Sequence, residues 1–403
     1  MLVARVSLVV ALLFVASWPV ATAQARQARP GIFGWHSPYG SVLDDAATVA
    51  LGKEGLAALY GGRLDEAARI FARLKTKHPG HPIGPFLEGL VIWWQILPDL
   101  TEDDRTHDAA FTAAMERTIR AADALKKTGR HPFDVGFFKA AALGFRGRLL
   151  SNRGAWFRAA RDGREAMDLV FKVAERDTLN PDFTFGRSVY DFFAAAIPAQ
   201  YPVVKPLMLF FPDGNRARGL AGLERSANLA QFVATEALYF QLQIHFQYEP
   251  DYRQSLFAIR QLRDRHPENG FFHVLEGRVF TRWGMWAEAL PVLDEVIRSA
   301  DGGQPGYTTG ILNQALYFRG RALVSLSRPD EALATLARLD ALTAGQDPET
   351  YFRVWGRLRI GMIHDVAGRR TEAVAAYRAV LNMEDRAEAH DRARRYLKTP
   401  FGS

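Results

Sequence analysis

The chain has 403 residues, 24% of them charged and 48% hydrophobic, enough for one extended repeat domain or two compact ones. With no cysteine, it has no disulfide, thiolate nucleophile, zinc–thiolate centre or lipoprotein anchor. A formal net charge of +7 favours anionic partners and says nothing of the fold.

Residues 1–25 have the layout of a bacterial-style secretory signal peptide: Arg5, a short apolar run over 6–15 (VSLVVALLFV), then small-x-small cleavage patterns ending at Ala23 and Ala25. The run is too short to span a bilayer, and an uncleaved anchor is the weaker reading. Export would place the chain in the periplasm or at the outer membrane, and it disfavours nucleic acid as a partner. Residues 26–40 form an arm broken by Pro30, Gly31, Gly34 and Pro38, with Trp35 as a handle for pinning it to the first helix. Helical patterning starts near Ser41, which reads as an N-cap followed by Asp44 and Asp45.

Residues 55–79 read as two short helices. Gly55, Leu59 and Tyr60 share one face of the first, Gly61-Gly62 breaks it, and Ala67, Ile70, Phe71 and Leu74 share one face of the second. So small a pair cannot bury its own apolar face and needs copies stacked beside it. The copies follow. From Gly55 the pattern is Gly62, Glu66-Ala67, Phe71; from Gly277 it is Gly284, Glu288-Ala289, Leu293. From Gly320 it is Ser327, Glu331-Ala332, Leu336; from Gly361 it is Gly368, Glu372-Ala373, Tyr377. Gly147 starts a weaker copy, and Gln243 stands in the small slot before Gly277. The small residue lets helix backbones approach, the turn glycine supplies a positive φ, and the large apolar residue fills a groove.

Between the regular copies, residues 86–97 (FLEGLVIWWQIL) are apolar nearly all round, which buries Trp93 and Trp94 in preference to an aromatic cage or a membrane-facing belt. Residues 182–222 break the pattern. A helix is expected over 183–197, stopped by Pro198, Pro202 and Pro206; the apolar run 207–211 and a turn at 212–215 follow, and a new helix starts near Ala217. A stretch so rich in Phe, Leu and Met is either buried or meets something, and Leu207, Met208, Phe210 and Phe211 are candidates for a membrane or partner contact.

The spaced residues resemble the tetratricopeptide-repeat family. The intervals Gly55–Gly89 and Gln243–Gly277 are both 34 residues. What the resemblance implies is an all-α protein, a right-handed α-solenoid of helix pairs with a non-repeat central insertion. Its organisation would be helix pairs over 41–181, the insertion over 182–222, further repeats over 223–398 and a tail over 399–403. Within the insertion, Gly186, Tyr190, the prolines, Gly214, Arg216, Gly219 and Leu220 resemble the central region of the inclusion-body-clearance type of tetratricopeptide protein, which implies an outer-membrane-associated scaffold without a known reaction.

No nucleophile elbow, phosphate loop, dinucleotide fingerprint or zinc-helix motif is present, so no enzyme activity and no cofactor is expected. His-Pro recurs at His78, His131 and His266, each read as the end of a helix rather than as a metal ligand. Glu66, Glu288, Glu331 and Glu372 are helix-start acids. On the family pattern the inner groove is lined by Arg148, Asn152, Gln247, Tyr248, Arg278, Arg282, Tyr317 and Arg321, with Arg158, Arg161 and Arg164 as a separate stripe. Such a groove suits a protein or peptide partner, an acidic one in particular, because arginine forks match carboxylates. Solvated surface arginine is the blander reading. The alternative function is a peripheral lipid-binding protein.

Overall fold

The computed structural model describes residues 40–100, 104–202, 205, 211–346 and 348–402. Seventeen α-helices and no strand are present among them. The signal-like segment, Trp35, Leu207, Met208 and Phe210 lie outside the described residues.

A 3-10 turn, Val42–Asp44, is capped by Ser41 in a reciprocal box with Asp44; the first helix starts after it, with Asp45 rather than Ser41 as its N-cap. The first helices are α1 (Ala46–Tyr60), α2 (Leu64–Lys77), α3 (Ile83–Ile96), α4 (Asp108–Lys127), α5 (Pro132–Asn152) and α6 (Trp156–Arg176). The central segment supplies α7 (Pro181–Gln200) and α8 (Arg216–Leu229), followed by α9 (Ala234–Gln243) and a π turn, Ile244–Tyr248. The C-terminal rows are α10 (Tyr252–Arg265), α11 (Gly270–Trp283), α12 (Trp286–Asp301), α13 (Thr309–Ser325), α14 (Pro329–Leu342), α15 (Tyr351–Val366), α16 (Arg370–Leu381) and α17 (Ala389–Lys398). Each helix packs on its sequence neighbour, and α11, α13 and α15 also touch in turn, as first helices of stacked pairs do.

The spacing rule has a sharper cause than close approach between first helices. A Cβ added at Gly55 would lie 2.2 Å from Phe71 Cε1; at Gly277, 2.5 Å from Leu293; at Gly320, 2.6 Å from Leu336; at Gly361, 2.5 Å from Tyr377. The small residue and the large residue sixteen positions later therefore form one contact, a knob of the second helix seated directly on the backbone of the first. The turn glycines have the expected positive φ: Gly62 at 77°, Gly284 at 85° and Gly368 at 71°. Ser327, which replaces glycine in the Gly320 copy, takes φ 57° itself.

Tryptophans 93 and 94 are buried, as their all-round apolar helix requires. Two His-Pro sites behave as expected, with His78 and His266 as C-caps of α2 and α10. The third does not: His131 stands at the N-terminus of α5 with φ 48°. A favourable interaction with the helix dipole needs a charged ring, whereas burial holds the His266 imidazole down at about 4, so His266 is neutral and hydrogen-bonds the Thr235 hydroxyl at 2.9 Å.

The described parts of the central segment are anchored rather than exposed. α7 runs through Pro198 to Gln200 instead of stopping before it, since a proline so near the C-terminus forfeits only one late helical bond. The Tyr190 hydroxyl donates to the Pro212 carbonyl at 2.6 Å, and Arg218 forks onto buried Asp191 at 2.6 and 2.7 Å. Gly214 and Gly219 lie against the α7 backbone so closely that a Cβ at either would be 2.5 Å from a main-chain nitrogen. Phe211 is buried in the cluster around Phe192, Phe193 and Ile197, so it is a core residue and not a membrane or partner contact.

The row also curls back on itself. Asn269 Nδ2 donates to the Tyr60 carbonyl at 2.7 Å, Arg63 pairs with Glu268, and Gln314 Nε2 donates to the Pro98 carbonyl at 2.9 Å. Trp94 meets Phe272 edge-on, with ring centroids 5.6 Å apart. The first pairs therefore do not offer an open inner surface. Their concave side is closed over by α9, α11 and α13.

Candidate partner-binding groove and inner cavity

The predicted groove residues fall into two groups. Arg278 and Arg282 project from α11, and Tyr317 and Arg321 from α13. Arg278 stacks over Phe318 at 5.3 Å and donates to Gln314 at 3.2 Å. Arg321 lies between Trp286 and Phe318, 6.0 and 5.7 Å from their ring centres. Tyr317 is buried rather than groove-facing, but its hydroxyl accepts from Arg359 Nε at 3.2 Å, and Arg359 caps its ring at 5.5 Å. Arg359, on α15, was missed by the spacing rule. A signal for it existed: it lies two residues before Gly361, seven before the position that Arg282 holds relative to Gly277, and so on the same helical face.

The electrostatics of this group are unusual for its burial. Burial depresses the Arg321 guanidinium below its ordinary value; nearby Tyr317 and Tyr351 oppose this, while the positive charges of Arg359 and Arg282 deepen it. Among the described residues, neither Arg282, Arg321 nor Arg359 forms an ion pair with a carboxylate, although arginines elsewhere are paired, such as Arg319 with Asp294 and Arg353 with Glu349. Three cations on three adjacent first helices thus lie beside aromatic rings, none of them paired with a carboxylate among the described residues. Planar guanidinium forks in this state accept carboxylates readily.

Of the second group, only Arg148 lines a cavity. Arg148 on α5 has its guanidinium over Trp93, Tyr239 and Phe240 at 5.1, 5.7 and 5.8 Å. Asn152 donates to the Arg148 carbonyl at 2.9 Å. Gln247 bonds Gln243, and Tyr248 packs edge-on to Phe193 at 5.1 Å. The cavity beside Arg148 and Gln243 has a volume of about 370 Å³. Its wall comes from α1, α3, α5, α6, α7 and α9 and is mostly apolar, with Leu56, Leu90, Phe145, Val170, Val189 and Phe193 among its members. Sequence patterning could not find it, because these residues carry the same apolar spacing as any core face.

Two acids in that wall have partners, although Glu236 Oε2 is left without one. Asp182 accepts from the backbone N–H groups of Gln231, Phe232 and Val233 at 2.9, 2.8 and 3.1 Å, capping the entry to α9. Glu236 accepts from the Tyr60 hydroxyl, and burial raises its carboxyl to about 7. Arg158 and Arg161 are exposed on α6 and form no part of either group. His78, His81 and His131 gather near buried Asp134, with His81 Nε2 at 3.2 Å from its carboxylate, yet no set of three His, Asp or Glu side chains among the described residues is arranged to hold a metal. Glu66 and Glu331 pair with Arg63 and Arg328 at helix starts, a structural use of the repeated acids.

No curated protein matches the chain. Yeast Tom70 is similar over 87% of this chain and 81% of its own, at 11% identity and a TM-score of 0.38. NprR in complex with its cognate peptide NprX is similar over 88% and 83%, at 11% identity and 0.37. The human IFIT1 dimer with m7Gppp-AAAA is similar over 88% and 86%, at 14% identity and 0.37. Residues 50–81, which hold α2 and most of α1, match the family described as tetratricopeptide repeat, so the similarity to that family attaches to the first regular helix pair of the row.

Proposed function

We propose that this chain is an exported scaffold of the tetratricopeptide type that holds a protein partner by an acidic segment laid across α11, α13 and α15. Arg321 carries this reading. A half-buried cation without a carboxylate lowers stability, and such a residue is kept where a partner supplies the missing charge. Arg282 and Arg359 flank it, and Phe318 and Trp286 provide apolar contact for the segment's side chains. A groove of this kind recognises an extended or helical peptide by shape and charge. The signal-like residues 1–25 support a periplasmic or outer-membrane-associated location, and no helix among the described residues is long and apolar enough to cross a membrane.

The test is anisotropy of a labelled peptide rich in Glu and Leu, alongside its Gln-for-Glu counterpart. Wild-type protein should prefer the acidic peptide, and added salt should weaken it. Arg321→Met should lower its affinity at least tenfold while the melting temperature holds or rises. Equal affinity for the two peptides, or an Arg321→Met protein that binds as wild type does, refutes the groove. Fractionation of cells carrying the C-terminally tagged full chain tests export separately, and retention in the cytoplasm refutes it.

A further inference from the structure

We infer that the inner cavity is a binding site for a long-chain fatty acid, with the carboxylate on Arg148 and the acyl chain along the apolar wall. The argument rests on what the cavity contains and what it leaves unmatched. Its volume of about 370 Å³ falls in the ordinary range of small-molecule sites. Six helices contribute to its wall, whose mostly apolar surface suits an acyl chain. Apolar surface dominates, so a polar ligand would lose its hydration there without recompense.

The polar groups select the head. Among the described residues, Arg148 is the one Lys or Arg in the wall. Its Nε is buried without a hydrogen-bond partner, and so is the Oγ of Ser151, a fully buried residue one helical turn further on. The three rings around the guanidinium cover its faces and leave its edge N–H groups as donors. Asp182 accepts from three backbone N–H groups and Glu236 Oε1 from Tyr60, Glu236 Oε2 being left without a partner, and neither acid forms an ion pair with Arg148. One anionic acceptor beside Arg148 and Ser151 would satisfy both orphaned groups. A fatty carboxylate supplies it and carries an apolar tail for the remainder.

Gly144, one turn before Arg148, gives the means to test this. It lines the cavity from an exposed position, and a Cβ added there meets nothing within 4 Å, so a larger side chain begins with free space on the ligand's side. Delipidated full-length protein is titrated calorimetrically with palmitate, kept below its self-association range, and with hexadecanol. Wild type should bind one palmitate per chain and prefer it to the alcohol. Arg148→Gln should weaken palmitate about tenfold, the scale of one charge-assisted hydrogen bond, and leave hexadecanol unchanged. Gly144→Leu should abolish both, with a melting temperature at or above wild type. Palmitate uptake that survives Gly144→Leu, a wild type that does not distinguish acid from alcohol, or no uptake by the wild type overturns the inference. None of these outcomes bears on the peptide groove, which the Arg321 variant tests.

Discussion

Replacing glycine by alanine at two helical positions should have opposite effects, because the same gain meets two different surroundings. Alanine within a helix is favoured over glycine by about 1 kcal/mol. At Gly144 nothing lies within 4 Å of the new Cβ, so that gain stands alone and Gly144→Ala should stabilise by about 1 kcal/mol. At Gly55 the new Cβ would sit 2.2 Å from Phe71 Cε1 and 2.6 Å from Cδ1, where ordinary carbon contacts are about 3.5–4.0 Å. The Phe71 ring is 1% exposed and has no free space to retreat into, so α1 and α2 must part. Overpacking of this kind costs about 1–3 kcal/mol, and with a misfit of more than an ångström at a rigid ring the upper end applies. After the propensity gain, Gly55→Ala should destabilise by about 1–2 kcal/mol. The assay is urea unfolding followed by both far-ultraviolet circular dichroism and tryptophan fluorescence, so that a repeat array unfolding in parts is recognised before midpoints are compared. Two variants shifted in the same direction would refute the reading of the repeat glycine as the seat of the aromatic knob.

Other expected outcomes follow from single residues. Burial raises the Glu236 carboxyl from its ordinary 4.5 to about 7, so between those values the folded chain holds a proton that the unfolded chain has released. That contribution is complete below about 4.5 and lost as the pH rises through 7, so Glu236→Gln should reduce the fall in melting temperature from pH 5 to pH 8 and be the more stable form at pH 8. Asp182→Ala should cost about 2–4 kcal/mol in urea unfolding, since it leaves the N–H groups of Gln231, Phe232 and Val233 without their acceptor, and Asp182→Asn should recover part of this. Ser327→Gly should stabilise by about 1 kcal/mol in the same assay by relieving a left-handed backbone at φ 57°.

The helical repeat was legible because its physics is local. Gly62, Gly284 and Gly368 occupy turns that need a positive φ, and Phe71, Leu293, Leu336 and Tyr377 follow their glycines at a fixed helical interval. Part of the proposed groove was legible for the same reason: Arg278 and Arg321 hold equivalent places on the successive first helices α11 and α13, which stack, and Arg282 lies one turn beyond Arg278 on α11. Arg359 was missed because the rule ran forward from the glycine and not two turns back along the same face. Phe211 was misjudged because an apolar run between prolines looks the same whether it faces a membrane or the Phe192 cluster.

The chain by itself determined that it forms helix pairs, where each pair turns, and that no pair can stand alone, since periodic apolar faces and positive-φ turns are written within a few tens of residues. Only the tertiary structure decided that the row closes, bringing Tyr60 to Glu236 and Asn269, and Pro98 to Gln314, across more than 170 positions. The physical reason is that small rotations between successive pairs add up along the row. Their sum sets whether the concave side stays open or wraps into a cavity, and no single interval of sequence records it.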